Sequence, residues 1–107
     1  MGPVPKPLEL PSDLIELQRA AAAAYAAVGE YVATVQARRR DEHPDDVVAR
    51  CTWTDEESAE LDRLYEAHTA AALAVRAHPL LEQARTEGCH AQTWDALKTA
   101  AQVAAAA

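Results

Sequence analysis

The sequence predicts an all-α fold, a small helical bundle built on a long antiparallel helix hairpin with two shorter helices. Three observations carry this reading. Alanine supplies close to half of the apolar residues, Phe is absent and Gly is scarce, so the chain is rich in the best helix former and poor in strand formers. Apolar residues recur every three or four positions along two long stretches, the period of a helix with one buried face. Capping and stop residues bracket those stretches.

At 107 residues the chain is long enough for one domain and one core without a metal or disulfide. The reading divides it into a proline-rich arm, residues 1–11, and a single helical domain, residues 12–107. Four prolines in the arm favour extended, polyproline-like backbone. The arm is expected to lie free in solvent. The alternative is that it docks Val4, Leu8 and Leu10 on the bundle or a partner.

The first long helix opens at "PSDLIE". Ser12 or Asp13 is the expected N-cap, and Glu16 follows Asp13 at capping-box spacing. Leu14, Leu17, Ala21, Ala24, Val28, Tyr31 and Val35 form a heptad seam that Tyr25 and Val32 broaden. The helix is expected to reach Arg40, with Arg38, Arg39 and Arg40 complementing the dipole at its C-terminus. "DEHPDDVVARC" breaks the pattern. Pro44 is the expected first residue of one short turn, with Val47 and Val48 covering the end of the bundle.

The second long helix opens at "TDEE", where Thr54 and Glu57 have capping-box spacing and three acids occupy the first turn. Leu61, Leu64, His68, Ala71 and Val75 form its seam, flanked by Tyr65 and Ala72, and it should end near Ala77. His68 on that seam reads as a core histidine with its hydrogen bonds satisfied. "HPLLEQARTEG" then predicts a short helix from Pro79, stopped by Gly88. A last helix from about Ala91 turns Trp94, Leu97 and Ala101 inward and frays over the closing "VAAAA". "HPDDVVAR" and "HPLLEQAR" echo one another weakly, each preceding a Cys and then "TW".

A short connection between the two long helices implies antiparallel packing, which sets Ala70–Val75 opposite roughly Ala20–Val28. Small residues on both sides permit close approach of the axes. A second small-residue ridge, Ala22, Ala26, Gly29, Ala33 and Ala37, lies on the opposite side of the first helix. Gly costs about 1 kcal/mol against Ala inside a helix, so Gly29 is expected to have a packing reason. Either the last helix covers this ridge or another chain does, and a homodimer is one outcome.

The formal charge of −7 argues against non-specific nucleic-acid binding and anionic membranes. No uncharged run approaches the ~20 residues that span a bilayer, and "MGPVPKPLELPS" lacks a signal-peptide pattern. A cytoplasmic location follows, with Cys51 and Cys89 as thiols. Arg outnumbers Lys and alanine is abundant, as in a GC-rich bacterial genome. His43, His68, His78, His90, Cys51 and Cys89 show no metal-ligand spacing, and Glu87 with His90 is an isolated Glu-x-x-His interrupted by Gly88. No nucleophile motif or phosphate-cradling loop occurs. Neither a cofactor nor a catalytic residue is expected.

Two surfaces remain for partners. One is the ridge. The other is the acidic face of the second long helix, Asp55, Glu56, Glu60 and Asp62, which also complements the helix dipole. The leading function is therefore a non-enzymatic interaction or regulatory module that binds a protein partner or itself. The alternative rests on "LLEQARTEGCHAQTWDAL", where Ala84, Gly88 and Cys89 have Ala-x-x-x-Gly-apolar spacing and Trp94 and Leu97 can pack back. That stretch resembles a helix-turn-helix, which implies a DNA-binding regulator using residues 79–105, with Gln92, Thr93 and Lys98 as contacts. It departs from the pattern at Glu87, where an apolar residue is usual, and Arg85 and Lys98 are its only Lys or Arg from residue 78 onward, a thin supply for phosphates.

Overall fold

The computed structural model describes residues 4–106. Among them every regular element is helical: α1 (Ser12–Glu42), α2 (Val47–Cys51), α3 (Asp55–Arg76), α4 (Pro79–Thr86) and α5 (His90–Ala106). The molecule is elongated, 61 × 29 × 25 Å. α1 sets that length, since its 31 residues extend about 46 Å at 1.5 Å per residue.

The heptad seam of α1 is its buried face. Leu14, Ala21, Val28 and Val35 are buried, and Leu17, Ala24 and Tyr31 are half-buried between them. Tyr25, expected to broaden the seam, is instead 67% exposed. The expected capping box at the start of α1 does not form either. Pro11 occupies the N-cap position without a side-chain bond. Asp13 is drawn to His78, 3.0 Å away, and Glu16 pairs with Arg19 at 2.8 Å. Asp13 and Glu16, the two members of the expected box, thus have other partners, and Ser12 lies inside the helix, not at its cap.

α1 packs chiefly on α3, then on α5 and α2. Arg39 meets Glu57, Tyr25 meets His68 at 5.2 Å between ring centroids, and Asp13 meets His78. Across these three pairings the partner number rises as the α1 number falls. The core lies at the other end of the molecule from α2, where Leu14, Ala21, Val75, Leu81 and Leu97 cluster with Leu10, Leu17 and Trp94 packed on them. The arm contributes there. Leu10 joins the core margin, and the Leu8 N–H donates to Thr93 Oγ1 at 3.1 Å. Val4 is 77% exposed, so docking begins at Leu8.

α2 departs most from expectation. Pro44 lies in the turn before it, and Asp46 caps it by accepting the Ala49 N–H at 3.0 Å. Val47 and Val48 are exposed and cover nothing. Pro79, by contrast, opens α4 directly. The two "HP" segments of the sequence echo therefore fold differently, because Asp46 offers a cap closer to the helix than Pro44.

α3 opens in the expected capping box. Thr54 Oγ1 accepts the Glu57 N–H at 3.1 Å, and Glu57 Oε1 accepts the Thr54 N–H at 2.9 Å. Glu57 also accepts from Arg38 at 2.9 Å and from Arg39, so a single buried carboxylate ties the end of α1 to the start of α3. The backbone N–H of Thr54 is the largest cause holding its carboxyl below the ordinary 4.5, with the two guanidinium groups adding to it. A depressed native pKa contributes stability that is present above the unfolded value and lost as pH falls through the native one. Thermal melts of wild type and Glu57→Gln are expected to converge as pH drops below 4.5. Curves that keep a constant separation down to strongly acid pH would show that this carboxylate is not the linked group.

His78 serves twice between α3 and α4. Its Nδ1 accepts the Leu80 N–H at 3.1 Å, so Nε2 carries the proton and donates to Asp13 Oδ2. This bond holds the Asp13 carboxyl below its usual 3.8. α4 ends as a Schellman turn: Cys89 N–H reaches Ala84 O at 2.9 Å and Gly88 N–H reaches Arg85 O at 3.1 Å. Gly88 adopts φ +76°, the left-handed conformation this turn requires. α5 then starts at His90 and directs Leu97 and Ala101 into the core, with Trp94 at its margin. The expected fraying of the closing alanines concerns residues 104–107, whose side chains lie outside the described set.

Candidate functional site

The small-residue ridge of α1 is open over most of its length. Ala22, Ala26, Gly29 and Ala33 are exposed, and Ala37 is half-buried. A Cβ added at Gly29 would meet nothing within 4 Å, so no neighbour among the described residues accounts for the glycine. α5 reaches only the beginning of the ridge: Ala22 and Ala23 share a cleft with Lys98, Ala101 and Gln102. From Ala26 to Ala33, the ridge is surface. It supplies close backbone approach and no polar chemistry, which suits helix-to-helix contact.

The acidic face divides. Asp55, Glu56 and Asp62 are exposed, while Glu60 is half-buried and paired with Arg63. Asp62 stands beside Tyr65 and Leu73 along a shallow depression, and those two side chains are 49% and 57% exposed. The exposed half of α3 is therefore mixed acidic and apolar.

The residues proposed for DNA contact do not act as a set. Thr93 is fully buried, with its hydroxyl accepting from Leu8 and donating to Cys89 Sγ at 3.6 Å. It fastens the arm and is not presented to a groove. Lys98 is exposed but lies 3.5 Å from Asp95, and Gln92 is half-buried. Ala84, Cys89 and Leu97 are buried, and Gly88 between the first two has positive φ. The chain matches no known protein family, no curated protein and no solved structure. Its surfaces therefore have to be interpreted on their own chemistry.

Among the described residues, no three His, Cys, Asp or Glu side chains converge as a metal set. No helix of the described residues is long and apolar enough to cross a membrane. Cys51 is an exposed free thiol and Cys89 a buried one.

One cleft escaped the sequence reading. Between α1 and α3, closed at one end by α5, lies a space of about 330 Å³ lined by Gln18, Ala22, Tyr25, His68, Ala72, Arg76 and Trp94, among others. His68 is half-buried here, not a satisfied core residue: its Nδ1 is shielded from solvent and has no hydrogen-bond partner. The available signal was a titratable ring on an apolar seam. Its meeting with Tyr25 and Trp94 depends on how three helices cross, which no local pattern encodes.

Proposed function

We propose that this chain is a non-enzymatic interaction module of the bacterial cytoplasm that binds through the small-residue ridge of α1, to a second copy of itself or to a helix of another protein. Its scaffold is read as a long antiparallel hairpin of α1 and α3 with α4 and α5 at one end, a reading supported by the Arg39–Glu57, Tyr25–His68 and Asp13–His78 pairings. The observation that carries the functional reading is the open course of Ala26, Gly29 and Ala33 along the molecule's longest helix. Small side chains there let a partner helix approach at the near end of the 8–10 Å interaxial range.

Light scattering coupled to size-exclusion chromatography across protein concentration tests it. A dimer that Ala26→Glu with Ala33→Glu converts to monomer, with circular dichroism unaltered, supports the self-associating form. A dimer indifferent to both charges removes the ridge from consideration. A monomer at all concentrations leaves the heteromeric form, which then requires that the same two substitutions abolish capture of a partner.

The helix-turn-helix reading stands second because the Schellman turn at Gly88 and the burial of Ala84, Cys89 and Leu97 favour it. With Thr93 buried, its contacts reduce to Gln92 and Lys98. Retention on immobilised duplex DNA that falls with added salt supports it, and passage without retention at low salt removes it.

A further inference from the structure

We infer that the cleft between α1, α3 and α5 is a binding site for a small planar aromatic carboxylate. The inference does not rest on the ridge, which shares only Ala22 with the cleft and continues along α1 beyond it. Three features specify the ligand class. The lining combines rings with small residues: Tyr25, Trp94 and His68 share it with Ala21, Ala22, Ala72 and Val75. Its volume of about 330 Å³ lies in the size range of small-molecule sites. The alanines keep the space open, because any larger residue at Ala22 or Ala72 would occupy it.

The second feature is charge. The chain is acidic overall, and most of the cations near this end are engaged: Arg19 with Glu16, Arg85 with Glu82 and Lys98 with Asp95. Arg76 lines the cleft and makes no ion pair among the described residues. It also borders the adjoining depression with Trp94 and His90, whose rings stack within 6° of parallel. A guanidinium beside aromatic faces suits a carboxylate attached to a ring, since its N–H groups can donate to both oxygens. The third feature is the unpartnered His68 Nδ1. Buried polar atoms are nearly always hydrogen-bonded, so a side chain that lines the cleft holds a hydrogen-bonding atom that no described residue satisfies.

Naphthoate is the probe, titrated into the full chain while the two indole N–H signals are followed by NMR. Trp53 serves as the internal control, because it lies by α2 against Tyr31 at 6.1 Å. The expected result is a saturable shift of Trp94 without one of Trp53. Uncharged naphthylmethanol should compete poorly, and Arg76→Gln should weaken naphthoate by about tenfold or more. Ala72→Leu should abolish binding by filling the space. Arg76 is exposed, so its substitution reports on binding even where the leucine variant folds poorly. No saturable Trp94 shift by about 5 mM, where an efficiency of only about 0.3 kcal/mol per non-hydrogen atom would already give most of the saturation, overturns the proposal. Equal shifts at both indoles, or affinity unaltered by Arg76→Gln, also overturn it.

Discussion

Leu97→Ala is expected to lower the melting temperature by roughly 10–25 °C, following from a loss of about 2–5 kcal/mol and the size of the domain. Leu97 is fully buried, and Leu14 and Leu81 are the other leucines in that state among the described residues. Ala21, Ala84 and Ala101 supply much of the remaining core, and alanine removes little surface from water. A core so dependent on three leucines has few large side chains that can move to fill a void. The neighbours of Leu97 are themselves on α1, α3 and α4, so one truncation loosens four helices at once. Leu73→Ala on the exposed side of α3 is the matched control, with an effect within about 0.5 kcal/mol. Differential scanning calorimetry of both variants decides it. Equal and small losses would mean that the bundle is held by its helix-end bonds more than by this cluster.

The same chemical change at two glycines is expected to act in opposite directions. Gly88 has φ +76°, and beyond its own residue and its two chain neighbours no described atom lies within 4 Å of where its Cβ would be. The cost of Gly88→Ala is therefore backbone strain alone, about 1–2 kcal/mol, and it falls on the turn that orients α5 against α1. Gly29 has helical backbone inside α1 and equally open surroundings. Gly29→Ala is expected to stabilise the chain by up to about 1 kcal/mol at concentrations where it is monomeric. Denaturant melts of both variants measure the two effects. A destabilised Gly29→Ala chain would show a neighbour at that position and contradict the open ridge. If the ridge is a homomeric interface, Gly29→Ala also weakens association by holding the partner backbone further away. The glycine would then be one that lowers monomer stability while favouring the assembly.

Much of the helical architecture was legible because its signals are local. The capping box at Thr54, Pro79 at the start of α4 and Gly88 at its end each involve residues within a few positions of one another. Their bonding follows from backbone geometry wherever the segment sits. The seam of α1 was equally readable, since its period states which face is buried. The α1 N-terminus was misread because Asp13, a sound local cap, lies within reach of His78, 65 residues away. Val47 and Val48 have the apolar character of buried residues, yet both side chains are exposed on the short α2. Thr93 looked like a polar contact residue until the arm supplied the Leu8 N–H that makes its burial tolerable.

By itself, then, the sequence determined the all-helical class, the seam residues and most helix ends, since those depend on propensity, period and capping over a few residues. Only the tertiary structure decided which small-residue faces are covered, where the arm lies, and that Tyr25, His68, Arg76 and Trp94 border one cleft. Those outcomes depend on where separate helices cross, and an alanine-rich surface constrains crossing weakly because it presents little shape for a neighbour to read.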